Sequence, residues 1–245
     1  MISAFLFDFG QTLVDSATGF RSAEKVAEKK VFDHLGLTDW EVFLSSYRRV
    51  RKEFHGRSNF SRKDLWAEIY RSFSRQPDLE LLEQWEDEYW DQVKAETRPF
   101  PETETVLQKL ETTFRLGLIT NTQGQKKTDT HRLSQFPGLE RFFEVIVVAG
   151  EGGLAPKPDP RPFHQCLELM GLKPRQAVYV GDDWRIDIRG AEGVGLRPIW
   201  LQHHLVRRNW PDVETSVLVI NSLDQLLDHE LMGPVLGPGQ VKKIG

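Results

Sequence analysis

The sequence predicts an α/β fold: a mostly parallel sheet with helices on both faces, interrupted after its first strand by an all-helical insert. Three observations carry this prediction. Short apolar runs recur, ISAFLF near the start and then RLGLIT, EVIVV, AVYVG, RPIWL and SVLVI in the second half, with the length and the β-branched or aromatic content of buried strands. Between them lie segments with helical spacing, such as Val106, Leu107 and Leu110, or Phe163, Leu167 and Met170. Strands that alternate with helices build parallel sheets covered on both faces. Finally, residues 15–98 break the alternation and carry only helical periodicity.

The first strand runs into FLFDFGQTLV, where the apolar run stops on Asp8 and is followed by Gly10 and a Gln-Thr-Leu turn. In the insert, Ala23, Ala27, Val31 and Leu35 share one stripe, and Trp40, Phe43, Leu44, Tyr47, Val50 and Phe54 another. Leu65, Ile69 and Phe73 form a third, and Leu82, Trp85, Tyr89 and Val93 a fourth. Four amphipathic helices follow, with the aromatic stripes as their packing core. Charge is segregated within the insert: positions 48–75 carry nine Lys or Arg against three acids, and 78–91 carry seven acids with no Lys or Arg. Complementary helix surfaces and solvated faces explain this best, ahead of a basic wall for an anionic substrate. The expected division is an α/β core of 1–14 and 99–231, a helical domain of 15–98, and a flexible tail of 232–245, whose GPVLGPGQVKKIG is rich in turn residues.

Composition narrows the function. With 245 residues, 39% hydrophobic and a net charge of -4, the chain can bury one good core and a small second domain. Nucleic acid and anionic membranes favour strongly basic surfaces, so neither is expected as a partner. Cys166 is the single cysteine, which excludes an internal disulfide and a Cys-rich zinc site and fits a reducing compartment. The N-terminal apolar run is short, lacks a basic flank and breaks at Asp8, unlike a signal peptide or a membrane span. A cytoplasmic protein is the expectation.

Open parallel sheets place their chemistry beyond the carboxyl ends of the strands. Polar residues stand at those ends: Asp8 in FDFGQT, Thr120 and Asn121 in LITNT, Lys157 in LAPKPDP, and Asp182, Asp183 and Asp187 in VGDDWRID. In order and context they resemble the four motifs of the haloacid dehalogenase-like hydrolase superfamily. The match spans residue 1 to about residue 231, and the insert looks like that family's type 1 helical cap on a Rossmann-like core. An aspartate held by the amides of its following turn can stay ionised and attack phosphorus, giving an aspartyl phosphate. Asp8 is the expected nucleophile, and the implied substrate is a small phosphorylated metabolite.

Negative charge beside carboxylates calls for a hard cation with oxygen ligands, ordinarily Mg2+. Asp8, Asp182 and the carbonyl of Gly10 are its expected ligands. Lys157 neutralises phosphoryl oxygens, while Thr120 and Asn121 donate hydrogen bonds to the group. The resemblance further implies that Asp187 orients Lys157 and that Asp183 supports the water shell of the metal. Cys166 reads as core, and the neighbouring His203 and His204 as surface residues of a loop.

Gly10 departs from the family pattern, in which phosphatases usually carry a second Asp two residues after the nucleophile. Glycine keeps a ligating carbonyl but offers no general acid or base, a function typically worth about 10² to 10⁴ in rate. Three readings remain. A Mg2+-dependent phosphatase with a substitute base or an undemanding leaving group is preferred. A dehalogenase, whose halide needs no proton, fits less well, because its relatives work without metal and the acidic VGDDWRID motif would repel a carboxylate substrate. The third is a protein that binds a phosphorylated ligand without turnover, for regulation.

Overall fold

The computed structural model describes residues 1–122, 132–150 and 152–236. They form two compact units. The first comprises Met1–Asp15, Arg98–Asn121 and the described chain from 132 onward, and the second Ser16–Thr97.

In the first unit, six strands form one parallel sheet. They are β1 (Ala4–Phe7), β4 (Arg115–Asn121), β5 (Val145–Ala149), β6 (Ala177–Gly181), β7 (Arg197–Leu201) and β8 (Leu218–Ile220), in the order β5-β4-β1-β6-β7-β8. The two-residue strands β2 (Val14–Asp15) and β3 (Arg98–Pro99) pair with each other, antiparallel. Each apolar run read from the sequence is one of the six sheet strands, and the central strands β1 and β6 are buried along their whole length. Along β1, Phe5 and Phe7 pack into one apolar cluster while Ala4 and Leu6 pack into another. The first cluster takes Val106, Leu107 and Leu110 from α5 (Thr103–Glu111) and Met232 from α9 (His229–Leu236). The second takes Phe163, Cys166 and Leu167 from α7 (Pro160–Leu169) and Ala191 from α8 (Arg189–Gly193). Both faces of β1 are therefore apolar, and it reads as a continuous run instead of an alternating one. The short helix α6 (Pro137–Glu140) completes this unit.

Two details differ from expectation. Helix α9 runs to Leu236, with Met232 and Leu236 buried, so residues 232–236 are not tail. Its Gly-Pro pair hid two core side chains. The rest of the expected tail, 237–245, lies outside the described residues. His203 is also no surface residue: its ring is fully buried, stacks on Phe100 at 3.6 Å between centroids, and meets Glu102 Oε1 through Nε2 at 2.8 Å. Cys166 is core as expected, and burial pushes its thiol up to about 12.

The second unit consists of α1 (Ala17–Leu35), α2 (Trp40–Gly56), α3 (Arg62–Ser72) and α4 (Leu79–Glu96). Three of these helices begin on side-chain caps: Asp39 accepts from Val42 N, Ser61 from Asp64 N, and Asp78 from Glu80 N and Leu81 N. Val31, Phe43, Tyr47, Leu65, Ile69, Leu82 and Val93 pack into its core. At the centre sits a polar knot. Glu24 accepts from Tyr47 Oη at 2.8 Å and Tyr89 Oη at 3.1 Å, and pairs with Arg62 and Arg51, each at 3.3 Å. Part of the segregated charge is self-complementary, since Lys63 of the basic stretch meets Glu83 of the acidic one at 3.4 Å. Arg51 and Arg62 instead turn to α1. No described helix is long and apolar enough to cross a membrane.

Burial alone would raise the Glu24 carboxyl, but Arg62, Arg51 and the two tyrosine hydroxyls outweigh it and hold it below its ordinary 4.5. A depressed carboxylate stabilises the fold above the unfolded value, and that contribution is lost as pH falls through the folded one. Glu24→Gln leaves a buried guanidinium without its counter-charge, so it should destabilise the protein by about 3 to 5 kcal/mol near neutrality. Urea unfolding at pH 7 and below pH 4 checks this: the gap to wild type should narrow in acid, where the wild-type carboxylate is itself lost.

Candidate active site

The sheet register brings the acidic residues together. Phe7 lies opposite Leu118 of β4 and Val180 of β6, so the residues that follow all three strands emerge at one edge. Asp8 continues the ladder for one more bond, its amide donating to Val180 O at 2.9 Å. The chain then turns through Gly10, Gln11 and Thr12, with Leu13 N bonded to Phe9 O at 2.9 Å and Gln11 N to Val14 O at 2.8 Å. The left-handed position in this turn is Gln11 (φ 62°), not Gly10. Position 10 therefore needs no glycine for positive φ.

Lys157 is the hub. It is 1% exposed, and its Nζ donates to Asp8 Oδ1 at 2.8 Å and to Asp187 Oδ1, Tyr179 Oη and the Ile119 carbonyl at 2.7 Å each. Burial would lower the ammonium, yet Asp187 and Asp8 outweigh it and raise it above its ordinary value. Its backbone is fixed as well. Asn121 Oδ1 accepts from Lys157 N at 2.7 Å, and Asn121 Nδ2 donates to Lys157 O at 3.1 Å. The side-chain amide of Asn121 thus clamps the lysine loop. Thr120 is buried at the end of β4.

Asp187 Oδ2 accepts from Asp183 N at 3.0 Å, so both of its oxygens are engaged. Gly181 makes room for it: a Cβ there would stand 2.4 Å from Asp187 Cβ. Asp183 caps the one-turn π-helix Trp184–Ile188, accepting from Arg185 N and Ile186 N through Oδ1 at 2.9 Å each. Its Oδ1 thus fixes the backbone of the turn that carries Asp187. Asp182 is gripped by Arg208, which donates to its Oδ2 at 2.6 Å and to its carbonyl at 2.8 Å. Trp200 Nε1 donates to the same carbonyl at 2.9 Å, and the guanidinium lies 4.0 Å from the Trp210 ring centroid.

Carboxylate oxygens of Asp8, Asp182 and Asp187 lie within 4.8 Å of one another, a group that could hold a metal ion. Three carboxylates against the two cations Lys157 and Arg208 leave an excess negative charge, and the donors are all hard oxygens, which suits a divalent cation of the Mg2+ kind. Burial drives the Asp8 carboxyl up to about 6, with Lys157 opposing and Asp187 adding to the rise. Asp182 is pushed well above the ordinary carboxylate range by burial, against the pull of Arg208.

Several of these groups were not singled out from the sequence. Tyr179 sits in the apolar run AVYVG, where a hydroxyl among aliphatic residues was the available signal. Burial and the neighbouring Asp187 and Asp8 raise its pKa well above the ordinary value, so it stays a protonated donor. Thr12 lies in the quoted turn and reaches Asp8 Oδ2 at 3.4 Å. Arg208 comes from a stretch without periodicity, remote from Asp182 in sequence, and has no local signature.

The family model for haloacid dehalogenase-like hydrolases matches residues 2–195. The chain belongs to this family. A relative from Methanopyrus kandleri, named glyceraldehyde 3-phosphate phosphatase, is 31% identical over 80% of this chain and 82% of its own length. Among solved structures, a HAD phosphatase from Thermococcus onnurineus shares the fold with a TM-score of 0.65 at 24% identity, covering 96% of this chain and 98% of that one. A 2-haloacid dehalogenase from Pseudomonas syringae pv. Tomato superposes with a TM-score of 0.64 at 28% identity, covering 96% of this chain and 100% of that one.

The close approach at Gly181 is directly testable. Gly181→Ala should destabilise the protein by about 1 to 3 kcal/mol through overpacking, and should lower hydrolytic turnover by displacing Asp187 from Lys157. Gly193→Ala, where an added Cβ meets nothing within 4 Å, should leave both unchanged. Urea unfolding and a hydrolysis assay on the two variants make the comparison.

Proposed function

We propose that this haloacid dehalogenase-like hydrolase is a Mg2+-dependent phosphatase of small phosphorylated metabolites, working in the cytoplasm through an aspartyl phosphate on Asp8. The observation that carries the reading is the cluster itself. A strand-end carboxylate is held by one buried ammonium within a group of acids able to bind a cation. The relative from Methanopyrus kandleri, a phosphatase by name and 31% identical, supports the same reaction class.

Asp8 Oδ1 is engaged by Lys157 at 2.8 Å, and the Thr12 hydroxyl reaches Oδ2 at 3.4 Å. Oδ2 is the atom that attacks phosphorus. The bond from phosphorus to the ester oxygen breaks, and that oxygen leaves with the electron pair. Water then attacks the phosphoryl group, releasing inorganic phosphate and restoring the Asp8 carboxylate. Lys157 and the hydroxyl of Thr120 offset charge on the transferring oxygens. Asp8, Asp182 and the carbonyl of Gly10 would hold Mg2+, which when bound neutralises phosphoryl charge beside the carboxylates. Asn121, Tyr179 and Asp187 position Lys157, and Arg208 fixes the orientation of Asp182.

Gly10 provides no proton for the leaving oxygen and no base for the incoming water. Activated esters, such as aryl and acyl phosphates, are therefore the better substrates. The 28% identical dehalogenase keeps halide release as a second reading, since halide also departs without a proton. The buried acidic cluster disfavours it, because a carboxylate substrate would be repelled.

Asp8→Asn should abolish turnover with the fold intact, and strong chelation should do the same to the wild type; either form remaining active removes the assignment. Gly10→Asp, at a position with no need of positive φ, should raise turnover of alkyl phosphates more than of aryl phosphates, by up to about 10² to 10⁴. A leaving-group series under saturating Mg2+ measures this, with halide release from 2-haloacids assayed alongside. An equal slope in both proteins contradicts the role given to Gly10.

A further inference from the structure

Among the described residues, three that are not glycine hold φ in the left-handed region: Gln11 (62°), Ser58 (54°) and Ser74 (55°). The two serines stand where such a backbone is customary, one residue past the C-cap of a helix. At the end of α2, Ser58 N donates to His55 O and Asn59 N to Phe54 O; at the end of α3, Ser74 N donates to Arg71 O and Arg75 N to Tyr70 O. Each serine thus closes its helix. Gln11 closes none. It lies in the turn that carries Asp8, and there the residue types run against the backbone: the position that suits glycine holds a long amide, while its neighbour, with no such need, is Gly10.

Burial marks the same pair. From Phe5 to Val14 every residue is buried except Gly10 and Gln11, so solvent meets the turn at these two positions. The next residue, Thr12, reaches the attacking oxygen, Asp8 Oδ2, at 3.4 Å. Backbone strain held beside reacting atoms points to a use for the side chain that causes it. A carboxamide accepts and donates hydrogen bonds without titrating, so it can aim a water but cannot take its proton. We infer that Gln11 orients the water that hydrolyses the aspartyl phosphate, the step that Gly10 leaves without a base. The amide oxygen accepts a hydrogen bond from the water as the water oxygen bonds to phosphorus. The bond from phosphorus to Asp8 Oδ2 breaks, its electron pair restores the carboxylate, and the water proton passes to an oxygen of the released phosphate. The inference rests on the phosphatase reading and deepens its second step.

Stopped-flow release of a chromogenic aryl alcohol from its phosphate, under saturating Mg2+, separates the two steps on the full chain. The initial burst reports formation of the aspartyl phosphate, and the steady phase reports its breakdown. Gln11→Gly, which relieves the backbone, should melt no lower than the wild type, keep the burst, and slow the steady phase about ten- to a hundredfold. Ser74→Gly, a second relief of positive φ at an exposed residue of the helical unit, should also melt no lower and keep both phases. An unchanged steady phase in Gln11→Gly, an equal fall in both phases, or a lower melting temperature would overturn the inference, because the side chain would then be idle or structural. Failure of the parent reading looks different: a wild type that turns over with no burst and no borohydride-reducible acyl phosphate at Asp8 has no such intermediate, and the role of Gln11 falls with it.

Discussion

The buried ammonium of Lys157 is the constraint from which the rest of the active site follows. Taking a lysine out of water costs several kcal/mol unless its charge and its donors are met. Here four oxygens at 2.7 to 2.8 Å meet them. Those oxygens come from the end of β1, from β4, from β6 and from the turn after β6, so satisfying one side chain requires three adjacent strands to end in register. The clamp from Asn121 and the space left by Gly181 serve the same end, since one fixes the lysine backbone and the other admits Asp187.

That arrangement also decides what Asp8 can do. Lys157 holds one of its oxygens at 2.8 Å, and the Thr12 hydroxyl stands 3.4 Å from the other. With a carboxyl raised only to about 6, Asp8 is largely ionised at neutral pH and becomes protonated, and non-nucleophilic, as pH falls below that value. A divalent cation among Asp8, Asp182 and Gly10 would favour the ionised form further. Two residues on from Asp8 stands Gly10, which has no side chain to carry a proton. Gly10 sits in a turn whose left-handed residue is Gln11, so the backbone does not account for the glycine.

The sheet was legible because its central strands are buried on both faces, so that AFLF and AVYVG are apolar throughout. Asp8 and Asp182 were legible because each stands immediately after such a run. Features made by tertiary contact left weaker traces. Tyr179 was concealed by the apolarity of its own strand. Arg208 reaches Asp182 from a loop without periodicity, and His203 is buried only because Phe100 and Glu102 come to meet it. Asn121 stood at the expected place, but its partner, the backbone of Lys157, is set by folding and not by spacing. Met232 and Leu236 were obscured by a Gly-Pro pair that reads as a turn yet lies inside a helix.

The central claim is that Asp8 carries the phosphoryl group and that Gly10 leaves the resulting aspartyl phosphate without a base to hydrolyse it. Rapid quenching of the enzyme during turnover of an aryl phosphate, with borohydride reduction of any acyl phosphate and peptide mass spectrometry, measures this most directly. The account predicts that the peptide containing Asp8 is reduced at that residue, in a substantial fraction of wild-type molecules and in a much smaller fraction of Gly10→Asp. Steady turnover with no modification at Asp8 in either protein, or modification at another residue, would contradict it.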